Sequence, residues 1–390
     1  MKNFRKNQGI TLIALVITII VLIILAGVTI NIVLDQNGII EKTQEAKNET
    51  KQAEKDEKKE LGKAEDIINQ YLTGIEVEQV TDANPGALEG SGTETEPYVI
   101  NSIEDLVFFA HDVTNGNSYE GEYVNLGLNL DFNSTKSYAD AYRTDYGTYG
   151  YDGELKTLLT TGEGFKPIGT TFDTDISTNY FCGTFDGSYH TIYNMYQNVG
   201  NSDYITIIGL FSSNNGSIKK LKLENININA TSNNLHLLFG GIAGRNYKAI
   251  NQCFTSGEIT IQANGIAGIY VGGIVGQRVS TESILNECAS NVEINVDSSN
   301  TNEIVVAGIG PSYQVENCYY SGNILVTGSN SGFKNISGIT GNSQEIINCY
   351  NTGKLESYFE NENVGNLYIS GIAYSGGSVQ NCFNLRRYKM

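Results

Sequence analysis

In the second half of the chain, apolar residues come in short runs that alternate with polar ones, as they do along β-strands. Two phrases organise these runs. A Gly-rich apolar phrase recurs as Gly240-Gly-Ile-Ala-Gly244, Gly272-Gly-Ile-Val-Gly276, Ala307-Gly-Ile-Gly310, Ser337-Gly-Ile-Thr-Gly341 and Ser370-Gly-Ile-Ala373. Each is followed by a cysteine phrase: Ile250-Asn-Gln-Cys253-Phe, Leu285-Asn-Glu-Cys288-Ala, Val315-Glu-Asn-Cys318-Tyr, Ile347-Asn-Cys349-Tyr and Val379-Gln-Asn-Cys382-Phe. The steps between cysteines are 35, 30, 31 and 33 residues. Short strands repeating at that period predict a solenoid, because one repeat cannot bury its apolar face until the next stacks on it.

The first 80 residues carry a different pattern. Lys2, Arg5 and Lys6 precede Gly9, and Ile10 to Leu34 then runs without a charge. At about 1.5 Å per residue that run is long enough for a helix that crosses a bilayer, and the basic residues before it favour a cytoplasmic N-terminus. Asp35-Gln-Asn-Gly38 interrupts it. Leu61, Ala64, Ile67, Ile68, Tyr71 and Leu72 then recur at helical spacing, so 35–80 reads as a charged helix or stalk. Residues 81–96, with Asn84-Pro85-Gly86, read as a linker. Pro97-Tyr-Val-Ile100 reads as a strand, and Ser102-x-x-Asp105 opens a short helix with a capping-box-like start.

Charge sharpens this division. Residues 1–72 are neutral overall, so residues 73–390 carry the whole net charge of −18. An acidic body argues against nucleic acid, whose phosphates need a basic footprint. Six cysteines would suggest three disulfides in a secreted chain, but five of them occupy one place in successive repeats. Coils about 4.8 Å apart do not forbid a bridge between neighbours, yet five members cannot all pair. The expectation is a column of reduced, buried thiols at Cys253, Cys288, Cys318, Cys349 and Cys382, with Cys182 apart from it.

Two resemblances follow from these motifs. The basic segment, Gly9 and Ile10-Thr-Leu-Ile13 resemble the leader of type IV prepilins and pseudopilins, which implies cleavage between Gly9 and Ile10 by a prepilin peptidase. The usual glutamate at the fifth mature position is Ala14 here, which disfavours a major pilin. Gly90-Ser-Gly92 through Ile100, Phe181-Cys-Gly-Thr-Phe-Asp-Gly187 and the repeats from Ile208 resemble GLUG-repeat proteins of bacterial surfaces and of the non-catalytic regions of IgA-specific metallopeptidases. That resemblance implies a right-handed parallel β-helix. The expected architecture is therefore mainly β: a basic leader over 1–9, a transmembrane or pilin-core helix over 10–34, and the stalk and linker. A cap with the first coils follows over 97–205, and repeats over 206–390.

No metalloprotease motif, phosphate loop or Asp-rich calcium repeat is present, and His111, His190 and His236 stand apart. Glu258, Glu293 and Glu345 read as occupying different places in their coils, while Arg245 and Arg278 follow equivalent Gly phrases. An insertion over 133–163 carries Tyr138, Tyr142, Tyr146, Tyr149 and Tyr151, suited to capping the first coil or to recognising a glycan or a cell-surface protein. The expectation is thus a pilin-like, surface-displayed, non-catalytic minor pilin or adhesin without a cofactor. It would reside in the cell membrane before assembly and meet other pilin-like subunits through its N-terminal helix. The alternatives are a major filament subunit and a carbohydrate-active β-helix enzyme.

Overall fold

The computed structural model describes residues 88–134, 137, 155–170, 172–173, 179–200, 205–233, 236–329, 332–359 and 366–385. All of them belong to one compact unit, Ile75–Met390. They form a mainly β, right-handed solenoid in which the ladders between successive coils are almost all parallel. Each full coil contributes a long strand to one sheet, a Gly-rich strand to a second and a short strand before its cysteine to a third. In one coil these are Phe254–Asn264, Gly268–Gly272 and Ile284–Asn286, with Val275–Arg278 adding a small fourth sheet.

Alternation explains the long strands. Ile259 and Ile261 point inward, and the register stacks like on like. Ile228, Ile259, Ile294, Ile324 and Leu355 form one column, and Ala230, Ile261, Val296 and Val326 the next. All nine are buried. At roughly 1.5–3 kcal/mol for each large side chain taken out of water, these columns are a main source of cohesion.

The corners use residue chemistry in two ways. The residue just before each repeat cysteine, namely Gln252, Glu287, Asn317, Asn348 and Asn381, is left-handed, as is Lys220 before Leu221, with φ of 50–53°. Asparagine tolerates that conformation because its short amide bonds locally. Here Asn381 donates to Asn348 at 3.2 Å, Asn348 to Asn317 at 3.0 Å, and Asn317 to Asn286 at 3.0 Å. The repeated glycines do something else. A Cβ on Gly241, Gly273, Gly308 or Gly338 would stand 2.1–2.5 Å from the carbonyl oxygen of its counterpart in the next coil. Their requirement is close passage of backbone, not positive φ.

The first coil is closed by helix α1 (Ile103–Thr114). Ser102 Oγ accepts from the Asp105 amide at 3.0 Å, and Asp105 Oδ2 accepts from the Asn101 amide at 2.9 Å. The capping box is therefore present, with aspartate reaching one residue further back than glutamate would. The apolar side of α1 places Phe109 5.0 Å from Tyr119, 5.6 Å from Phe181 and 6.0 Å from Phe185, ring centre to ring centre. Residues 88–96, assigned to the linker by sequence, include a hydrogen-bonded turn, in which the Ser91 amide donates to the Glu96 carbonyl at 3.0 Å.

Burial raises the Asp105 carboxyl to about 6, against the opposing pull of the Asn101 and Ser102 donors. The folded state thus holds this proton more tightly than the unfolded chain. The resulting stability is fully present below about pH 4 and is lost as pH rises through about 6. Asp105→Asn is therefore expected to raise the melting temperature at pH 8, where up to about 3 kcal/mol of burial penalty is removed. The gain should vanish at pH 4. Thermal unfolding of both proteins at both pH values checks this, and destabilisation at pH 8 would refute it.

One expectation is corrected here. The solenoid stands, but the fold class included a transmembrane helix, and no helix among the described residues is long and apolar enough to cross a membrane. Residues 10–34, where that helix was placed, lie outside the described residues. So do Gly9, Ile10, the 35–80 stalk and the tyrosines of the insertion.

Candidate functional site

The outer face of the long-strand sheet gathers polar side chains into columns, because every second residue of a strand points outward. The register places Asn227 opposite Glu258, and Glu258 opposite Glu293. Asn323 follows, donating from Nδ2 to Glu293 Oε1 at 3.0 Å, and Lys354 lies opposite Asn323. Beside this column run Asn229, Thr260 and Asn295, and then Thr231, Gln262, Asp297, Thr327 and Tyr358. The sequence-based placement of the acids is corrected: Glu258 and Glu293 are direct partners, and only Glu345 lies elsewhere, opposite Gln314. The signal was available, since Glu258, Glu293, Asn323 and Lys354 all stand at the same offset after their cysteines.

These side chains are tied to one another. Thr260 Oγ1 and Asn295 Nδ2 both donate to Glu258 Oε1, at 2.8 and 2.9 Å. Thr327 Oγ1 donates to Asp297 Oδ1 at 2.9 Å. Glu356 receives Lys354 at 2.7 Å and the Tyr358 hydroxyl at 3.1 Å. Toward one end of the strands the face dips into an open groove of ≈ 340 Å³ whose lining includes Thr231, Gln262, Asn264, Asp297 and Ser299. The arrangement offers a carboxylate pair held by neutral donors, among amides and hydroxyls that can both give and accept hydrogen bonds.

The other candidates fall elsewhere. Cys253, Cys288, Cys318 and Cys349 are buried, Cys382 and Cys182 are half-buried, and all six are free thiols. The five repeat thiols form one column, in which each Sγ donates to the carbonyl two residues earlier, as Cys318 does to Glu316 at 3.1 Å. Burial pushes the Cys253 and Cys318 thiols up. Arg245 and Arg278 do not line up: Arg245 pairs with Gln277, to whose Oε1 it donates at 3.2 Å, and Arg278 pairs with Asn246. Tyr138, Tyr142, Tyr146, Tyr149 and Tyr151 lie outside the described residues.

No family model matches the chain. Among curated proteins it is similar to halomucin of Haloquadratum walsbyi, at 25% identity over 199 residues. That stretch is 50% of this chain and 2% of halomucin, so the chain spans a very small part of that relative. Among solved structures it is similar to a candidate immunoglobulin A1 protease from Bacteroides ovatus, at 17% identity and a TM-score of 0.36. The likeness covers 73% of this chain and 86% of the other.

The functional expectation is corrected accordingly. The pilin-like, membrane-derived subunit is not carried forward, since no helix among the described residues is long and apolar enough to cross a membrane. The expected membrane stage and the filament and adhesin readings go with it. The non-catalytic reading rested in part on acids out of register, and Glu258 and Glu293 are in register.

Proposed function

We propose that this chain is a carbohydrate-active β-solenoid whose long-strand sheet receives a linear polysaccharide on its outer face. The Glu258–Glu293 pair acts on the glycosidic bond. The observation that carries this reading is the register of those two carboxylates on adjacent parallel strands. Backbones of neighbouring strands lie about 4.8 Å apart. That is close to the ~5–5.5 Å separation of the carboxyl groups in retaining glycosidases.

Glu258, fixed by Thr260 and Asn295, is the nucleophile. Its oxygen bonds to the anomeric carbon as Glu293 gives a proton to the departing glycosidic oxygen. Water then attacks the same carbon, Glu293 takes the water's proton, and the bond to Glu258 breaks. Asn227, Asn229 and Gln262 offer amides to sugar hydroxyls along the same face. The rise of one coil is also close to the length of one hexose unit.

The test is release of reducing ends from a panel of neutral, acidic and amino-sugar polysaccharides, with the anomer of the first product read by NMR. Glu258→Gln and Glu293→Gln should each lower the rate on the order of 10²–10⁴-fold while polymer binding persists. Absence of both binding and cleavage across the panel would end this reading, as would full activity in both variants.

A further inference from the structure

The thiol column has one accessible end. Cys253, Cys288, Cys318 and Cys349 are 2%, 1%, 0% and 0% exposed, enclosed between coils, whereas Cys382 is half-buried on the last described coil. Tyr350 pairs with Phe383 and Ile347 with Gln380, so Cys349 and Cys382 occupy equivalent places on neighbouring coils. Cys382 Sγ accepts from the Cys349 amide at 3.4 Å, so that sulfur already sits over its neighbour's backbone.

We propose that Cys349 and Cys382 are a site of reversible disulfide formation that fastens the last described coil to the stack. Two observations single out this pair. A dissolved oxidant can reach only a thiol that solvent reaches, and within the column that is Cys382. A bridge also needs Cβ atoms about 3.8 Å apart, less than the roughly 4.8 Å between coils. Interior coils are held by ladders on both sides, which resists closing that gap. The coil of Cys382 is gripped on one side only by the described strands: Phe383–Asn384 ends its sheet, and Ala373–Gln380 ends its own. Its surroundings are open to solvent as well, with Val379 52%, Phe383 47% and Leu385 53% exposed.

The co-reactant is a small disulfide such as oxidised glutathione. Cys382 loses its proton to solvent, and its sulfur attacks one sulfur of the oxidant, releasing one glutathione thiolate. Cys349 then loses its proton and attacks Cys382 Sγ, releasing the second thiolate. The protein gives up two electrons and two protons, and one glutathione disulfide becomes two glutathiones.

The full chain, reduced and then incubated with oxidised glutathione without denaturant, tests this. Remaining thiols are alkylated in denaturant before tryptic digestion. Cleavage at Lys334, Lys354 and Arg386 places Cys349 and Cys382 in separate peptides, apart from Cys318. The expected result is a linked pair of those two peptides and alkylation at Cys253, Cys288 and Cys318. The link should vanish in Cys349→Ser, which leaves a stable glutathione adduct on Cys382. Oxidation should also slow proteolysis of the last coil. An unmodified Cys382, a persistent Cys382 adduct in the unsubstituted chain, or a link between other cysteines would each overturn the proposal.

Discussion

Alanine at Gly308 is expected to cost on the order of 3–4 kcal/mol, because the added methyl has nowhere to go. Its Cβ would stand 2.2 Å from the Gly338 carbonyl oxygen and 2.2 Å from Cγ of Tyr320. Neither neighbour can yield. The carbonyl belongs to the next coil and is held there by the inter-coil ladder, the Gly338 amide donating to Ser370 at 2.9 Å. Tyr320 is fully buried, and its hydroxyl donates to the Val292 carbonyl at 2.9 Å. Urea unfolding of the variant should show a large drop in midpoint. Gly200→Ala is the control, since a Cβ there meets nothing within 4 Å. If both substitutions shift the midpoint alike, the close-passage account of the repeated glycines is wrong.

Phe109→Ala should be comparably severe, at about 3–5 kcal/mol. Phe109 is fully buried and joins the capping helix to the rings of Tyr119, Phe181, Phe185 and Phe211. Removing it leaves a cavity where helix and first coil meet, and that cavity can close only if α1 shifts. Undocking would uncover Phe181 and Phe211, both fully buried. The variant should therefore melt earlier and bind a hydrophobic dye before its main transition. Phe109→Leu, which restores most of the volume, should recover much of the loss. Equal destabilisation by leucine and alanine would mean that the site depends on the ring itself rather than on filled space.

Much of the solenoid was legible in the sequence because its spacing is written in residues with one structural use. Cysteine in the same place of each repeat can only form a column, and Ser102 with Asp105 can only cap a helix that starts there. What the glycines do was less legible. Gly-rich phrases suit positive φ and close passage of backbone alike, and Gly241, Gly273, Gly308 and Gly338 answer to a carbonyl one coil away, which no local reading assigns. The left-handed corners fell instead to Gln252, Glu287 and Asn317, ordinary polar residues whose neighbours set their conformation. The polar face was missed for a related reason. Uneven repeat lengths hide register when coils are compared from their beginnings, whereas counting onward from each cysteine aligns Glu258 with Glu293. Nothing in the chain order could show that Thr260 and Asn295 converge on one oxygen of Glu258.

The uneven repeat length has its own location. Lys222 to His236, Phe254 to Gly268, Ala289 to Glu303 and Tyr319 to Phe333 are all equal spans from long strand to Gly-rich strand. Most of the differences fall on the opposite arc, where Gly268 to Ile284 is longer than His236 to Ala249, and Glu303 to Gln314 is shorter; the next coil departs from this, since Tyr350 to Asn366 is longer than the four equal spans. That arc is where foreign sequence could be spliced in. A peptide grafted between Val279 and Ser283 would lengthen a surface bulge that one coil already carries, while the cysteine column and the Glu258–Glu293 face keep their alignment. Over the four coils from Lys222 to Phe333 the solenoid thus separates a constant side, which sets the ruler, from a permissive side, which absorbs differences in length.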